Sequence, residues 1–195
     1  MPPNDVQPDT TPSASRPRSY SGGYMQAGKT AEAIFLDFLW SHKETIYVED
    51  VRSQKQWQEC DVDFRALRNG SDNWLDVEGK HDRHLDRSGY WLFELFRVNH
   101  TAPANRLFVD GWSVRSAASH LLFYAPFTNR IHSIRMRDYR LACSNAVRLK
   151  LCRYDLVPTD TIKTTVNAYF PEEFVQEMQS YQVFDADNFA QLTQV

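Results

Sequence analysis

At 195 residues, with 42% hydrophobic and 24% charged side chains, the chain has the length and make-up of one soluble globular domain with room for a real core. A net charge of −3 excludes a global basic field drawing it onto nucleic acid, while leaving room for a local basic face. Its three cysteines, Cys60, Cys143 and Cys152, form no CxxC pair and fall one short of the usual iron–sulfur set, so neither a disulfide scaffold nor a cluster protein is expected.

Residues 1–23 are rich in Pro, Ser, Thr and Asp and nearly empty of aliphatics, the composition of a disordered tail; a single domain is expected over 24–195. The N-terminus has neither a basic n-region nor an apolar h-region, and no apolar run approaches the roughly 20 residues a bilayer span needs. The expectation is therefore a cytoplasmic protein without a membrane segment.

In chain order, a helix over about 26–41 carries an apolar stripe of Ala31, Ile34, Phe35, Phe38 and Leu39. Strands are expected near 45–49, 61–67, 73–80, 91–97 and 106–109, the second and third joined by a hairpin across Asn69-Gly70. After Gly111-Trp112 come a short helical turn and strands near 120–125 and 131–135. A helix over 138–149, a strand near 162–168 and a helix starting at Pro171 complete an α/β chain with no internal repeat.

Side chains two apart on a strand share a face. Glu78 and Lys80 in NWLDVEGK therefore point one way and Leu75 and Val77 the other, while Asp61 and Asp63 oppose Val62, Phe64 and Ala66. The hairpin brings the two polar faces together. In isolation Asp61 and Asp63 read as solvent-facing strand residues, and Glu78 with Lys80 as a surface ion pair. Two more carboxylates sit where carboxylates are costly: Glu32 beside the helix stripe and Glu94 inside YWLFELF. A convergence of Glu32, Asp63, Glu78 and Glu94 would be relieved by a hard divalent cation such as Mg²⁺. Held by Asp63, Glu78 and the Gly79 carbonyl, that ion would polarise a phosphodiester, with Lys80 beside the attacking water.

This arrangement resembles the PD-(D/E)XK nuclease superfamily, bacterial or phage-type members above all. Asp63 and Glu78-Gly79-Lys80 match its acidic residue and (D/E)-x-K triplet in order and strand setting, and Glu32 matches the glutamate of its first helix. Trp57-Gln58 with Asp61-Val62-Asp63, then Ser88-Gly89 followed by Glu94, then Gly111-Trp112 and HLLFY extend the likeness over roughly 26–137. The proline of the superfamily's name is absent, and Gly79 replaces the usual apolar residue of the triplet. The resemblance implies a restriction-endonuclease-like core, a central mixed β-sheet flanked by helices. It also implies a Mg²⁺-dependent (Mn²⁺ as substitute) endodeoxyribonuclease with Asp63, Glu78, Lys80 and Glu32 as catalytic residues. Asp63, Glu78 and Gly79 would hold the metal, with Glu94 and Asp61 in support. DNA is the expected partner, reached through Arg83, His84 and Arg87, with a homodimer or a partner protein supplying specificity. Arg130, Arg135, Arg137 and Arg140 form a second basic cluster.

Two other readings stay open, besides a purely structural interaction domain that binds neither DNA nor metal. One is a relative that has lost catalysis and binds nucleic acid or protein. The other is a phosphate-binding loop, because residues 23–30 satisfy GxxxxGK[ST]; no buried strand precedes them, as such a loop requires.

Overall fold

The computed structural model describes residues 22–82, 85–103, 107–159 and 162–192, the side chains of 22–28 excepted. All but the end of the expected tail lies outside the described residues. Helix α1 (Gly22–Ser41) buries Ala31, Phe35, Phe38 and Leu39 of the expected stripe, with Ile34 half-buried. Its last turn is closed by Ser41 Oγ donating to the Phe38 carbonyl at 2.7 Å and by the His42 ring at 2.8 Å from the same oxygen.

Strand β1 (Thr45–Asp50), the single turn α2 (Lys55–Gln58), β2 (Phe64–Arg68) and β3 (Trp74–His81) follow. β2 and β3 form the expected antiparallel hairpin, with Phe64 opposite Val77 and Gly70 in the left-handed region at φ +73°. β3 then lies parallel to β6 (His120–Ala125), Glu78 against Leu121 and Lys80 against Phe123. Antiparallel strands β7 (Arg130–Arg135), β10 (Gln182–Asp185) and β11 (Gln191–Leu192) complete a seven-stranded mixed sheet of order β1-β2-β3-β6-β7-β10-β11.

Between β3 and β6 run the single turn α3 (Leu85–Ser88), β4 (Tyr90–Asn99), β5 (Phe108–Asp110) and the single turn α4 (Trp112–Arg115). After β7 come α5 (Met136–Arg148), β8 (Arg153–Pro158), β9 (Lys163–Pro171) and the single turn α6 (Glu173–Gln176). The β4 segment does not join the central sheet. It pairs with β5 and β9 in a second, four-stranded antiparallel sheet of order β5-β4-β9-β8. The helix expected from Pro171 is only α6, because Pro171 still pairs with Tyr90 and ends β9, a position that asks nothing of its missing N–H.

β6 is buried on both faces. Leu122 and Tyr124 pack with Val77, Ile131 and the α1 stripe on one side. Leu121 and Phe123 pack with Ile134, Trp91, Phe170 and the Tyr139 face of α5 on the other. Burial of each such aliphatic or aromatic side chain contributes roughly 1.5–3 kcal/mol. This is an α/β architecture with helices on both faces of a mixed sheet. No helix among the described residues is long and apolar enough to cross a membrane, and the three thiols are free.

Candidate metal and catalytic centre

The hairpin positions the acidic pair. Asp63 stands just before β2, its N–H donating to the Val77 carbonyl at 2.9 Å and its own carbonyl accepting from Val51 at 3.0 Å. Its side chain adds one more rung: Oδ2 accepts the Gly79 N–H at 2.9 Å. In β3 the alternation holds, with Val77 fully buried against α1 and Glu78 facing the opposite core at 2% exposure. Glu78 Oε1 accepts from the Lys80 ammonium, while Oε2 is buried without a hydrogen-bond partner. An orphaned carboxylate oxygen of this kind suits a cation.

Burial is the main force on Glu78. It pushes the carboxyl up to about 8, with repulsion from Asp63 and Asp61 adding to it and Lys80 pulling back. Burial alone would lower the Lys80 ammonium, but Glu78, Asp63 and Asp61 outweigh it and hold it above its usual value. The two carboxylates and the amine thus share one field. Lys80 Nζ also lies 4.9 Å from the Trp112 ring centroid, a cation–π contact that steadies the ammonium over an apolar face.

The facing wall comes from the second sheet and α4. The Trp112 N–H donates to Glu94 Oε1 at 3.3 Å, and the Glu94 N–H donates to Ser113 Oγ at 3.0 Å. Gly111 permits this close approach, since a Cβ there would lie 2.2 Å from the Glu94 carbonyl oxygen. Arg115 grips Asp61 through two bonds of 2.7 Å, Asp61 being held at φ +49°. Asp61, then Glu94 and Glu78, hold the Arg115 guanidinium above its usual value against the opposing pull of burial.

Other sequence-derived candidates have partners of their own. Glu32, with its side chain 42% exposed, is ion-paired with Arg52, which also binds Asp50 at 2.6 Å. Glu94 pairs with Arg97 at 2.8 Å. The four carboxylates Glu32, Asp63, Glu78 and Glu94 do not form one metal-capable cluster among the described residues; that description fits Asp86, His132 and Glu172. Arg87 lies over Phe127, its guanidinium carbon 3.3 Å from the ring centroid, and Arg83 and His84 lie outside the described residues. Within the second basic cluster, Arg140 is committed to the carbonyls of Ser113, Val114 and Ser116 at 2.6–3.1 Å. The GxxxxGK[ST] stretch is helical from Gly22 onward, so it forms no loop that could wrap a phosphate.

Sequence reasoning passed over Arg115, which no charge pattern around GWSVRS singles out. It also passed over His132, whose signal was available: the residue shares a strand face with the buried Ile134.

No family model matches the chain, and no curated protein matches it. Among solved structures the chain is similar to D212, a nuclease from a fusselovirus, at 12% identity over 80% of this chain and 86% of that chain, with a TM-score of 0.37.

Proposed function

We propose that the chain is a metal-dependent nuclease of PD-(D/E)XK type that hydrolyses phosphodiester bonds, with DNA as substrate. The observation that carries this reading is the buried Glu78 carboxylate, one oxygen on Lys80 and the other without a partner, beside Asp63. A purely structural ion pair has no need of that second carboxylate or of the orphaned oxygen.

Asp63, Glu78 and the Gly79 carbonyl would hold a Mg²⁺ ion. When bound, the ion supplies charge to the scissile phosphate and a more acidic water. Lys80, freed from Glu78 by the ion's charge, would turn its ammonium toward the attacking water and the charge growing on phosphorus. Trp112 limits where that ammonium can swing, and Arg115 holds the Asp61 carboxylate in place.

The test is cleavage of supercoiled plasmid and of a branched DNA with Mg²⁺ or Mn²⁺, comparing the wild-type chain with Lys80→Ala and Asp63→Asn. Metal-dependent cutting that disappears in both variants supports the reading. Absence of cutting with either metal, or cutting that survives both substitutions, overturns it.

A further inference from the structure

We propose that Asp86, His132 and Glu172 form a second metal site, built for a borderline divalent ion such as Zn²⁺ and separate from the Asp63–Glu78 pair. One ligand atom from each of the three lies within 4.8 Å of the others. They come from three distant segments: α3, β7 and the turn between β9 and α6.

The hydrogen bonds around His132 argue for a cation. Tyr181 donates its hydroxyl to Glu172 Oε1, a long bond of 3.5 Å, and lies 2.7 Å from His132 Nδ1. Where the hydroxyl gives its proton to Glu172 it accepts from the imidazole, and the ring proton then sits on Nδ1 with a lone pair on Nε2. That Nε2 is buried in a residue only 1% exposed and has no hydrogen-bond partner. Yet it sits 2.9 Å from Asp86 Oδ1, off the line a hydrogen bond would take. Two acceptors face to face at that distance repel each other unless a cation lies between or beside them. Neighbouring ligands each about 2 Å from one zinc ion stand about 3 Å apart.

The surroundings orient these atoms as metal ligands are usually oriented. Thr128 Oγ1 donates to the other oxygen of Asp86, the Tyr181 ring stacks 6.0 Å from the His132 ring, and Trp91 meets that ring edge-on at 5.7 Å. One imidazole with two carboxylates suits zinc better than magnesium, which prefers oxygen alone.

The site is independent of the nuclease reading. Lys80, Phe123 and His132 lie in one row across β3, β6 and β7, so Phe123 stands between the two centres. Their backbones are two strand spacings apart, roughly 10 Å. An ion here would fasten α3, which follows the strand of Glu78 and Lys80, to β7 and the end of β9.

The full chain, stripped with EDTA, dialysed and then supplied with Zn²⁺, should retain about one ion per chain and gain thermal stability. Co²⁺ in its place should show a ligand-field absorption. Glu172→Gln and Asp86→Asn keep side-chain shape and should each weaken zinc at least about tenfold, whereas Asp63→Asn should not. The proposal is overturned if the folded wild-type chain retains no zinc, which would make the trio an imidazolium held between carboxylates. It is equally overturned if both variants bind zinc as well as the wild type.

Discussion

The Phe35 ring fills the space that a side chain at Gly79 would need: a Cβ at position 79 would meet Phe35 Cδ2 and Cε2 at 2.8 Å. The apolar residue missing from the centre of the Glu78-Gly79-Lys80 triplet is thus replaced by a ring from α1. Helix and strand approach closely there, with Phe64 Cε2 at 3.4 Å from the same point.

Gly79→Ala should therefore lower stability by about 1–3 kcal/mol through overpacking, read as a shift in the urea midpoint at unchanged slope. Pairing it with Phe35→Leu should recover part of the loss. Equal losses with and without Phe35→Leu would show that the ring is not the obstacle.

Lys80→Ala should reduce metal-dependent cleavage at least about a hundredfold, the usual cost of losing one charge-stabilising group. Binding of Mn²⁺, followed by calorimetry, should survive, because Asp63 and Glu78 remain. Glu78→Gln should do the reverse at the first step and weaken the ion itself. A Lys80→Ala chain that has also lost Mn²⁺ would place the lysine in the architecture of the site and not in its chemistry.

The Asp61–Arg115 bracket joins the β2 lead-in to α4. Both side chains are partly open to solvent, so screening limits the pair. A double-mutant cycle of Asp61→Asn and Arg115→Gln should return a coupling of about 0.5–1 kcal/mol, measured by denaturant unfolding. Zero coupling would reduce the bracket to a surface contact.

His120 gives a pH signature in stability. Burial, with Arg68 and Arg135 beside it, lowers its imidazole to about 4 from the ordinary 6.5, Asp138 opposing. Between those values the unfolded chain holds the extra proton, so stability rises with pH. The contribution is complete above about 6.5 and is lost as the solution is acidified toward 4. It is worth roughly 3 kcal/mol by that separation. A His120→Gln chain should show a flatter decline over this window in a series of thermal melts; an identical decline would remove His120 as its source.

The hairpin carrying Asp63, Glu78 and Lys80 was legible because its signals are local: alternation over a few residues and an Asn-Gly turn. The α1 stripe was legible for the same reason. YWLFELF read equally well as a strand of either sheet, since apolar runs report burial and not partners, and the second sheet exists only through pairing of β4 with β9 some seventy residues on. β8 escaped notice because it is an edge strand exposed along most of its length, Tyr154 and Leu156 included, and shows no inward face. Glu32 is ion-paired with Arg52, a partner that no spacing in the chain announces. Arg115 and the Asp86–His132–Glu172 trio are products of long-range topology, which no spacing in the chain encodes.

The parallel pairing of β3 with β6, in which Val77 meets His120, also sets an order in time. Asp63, Glu78 and Lys80 travel on one short hairpin and can come together as soon as it closes. Trp112 and Arg115 arrive only when the chain between positions 77 and 120 has been gathered in, a closure that is entropically costly and slow. The acidic pair is therefore expected to form before the wall that steadies its lysine. Maturation of the centre should lag behind formation of the strands that carry it.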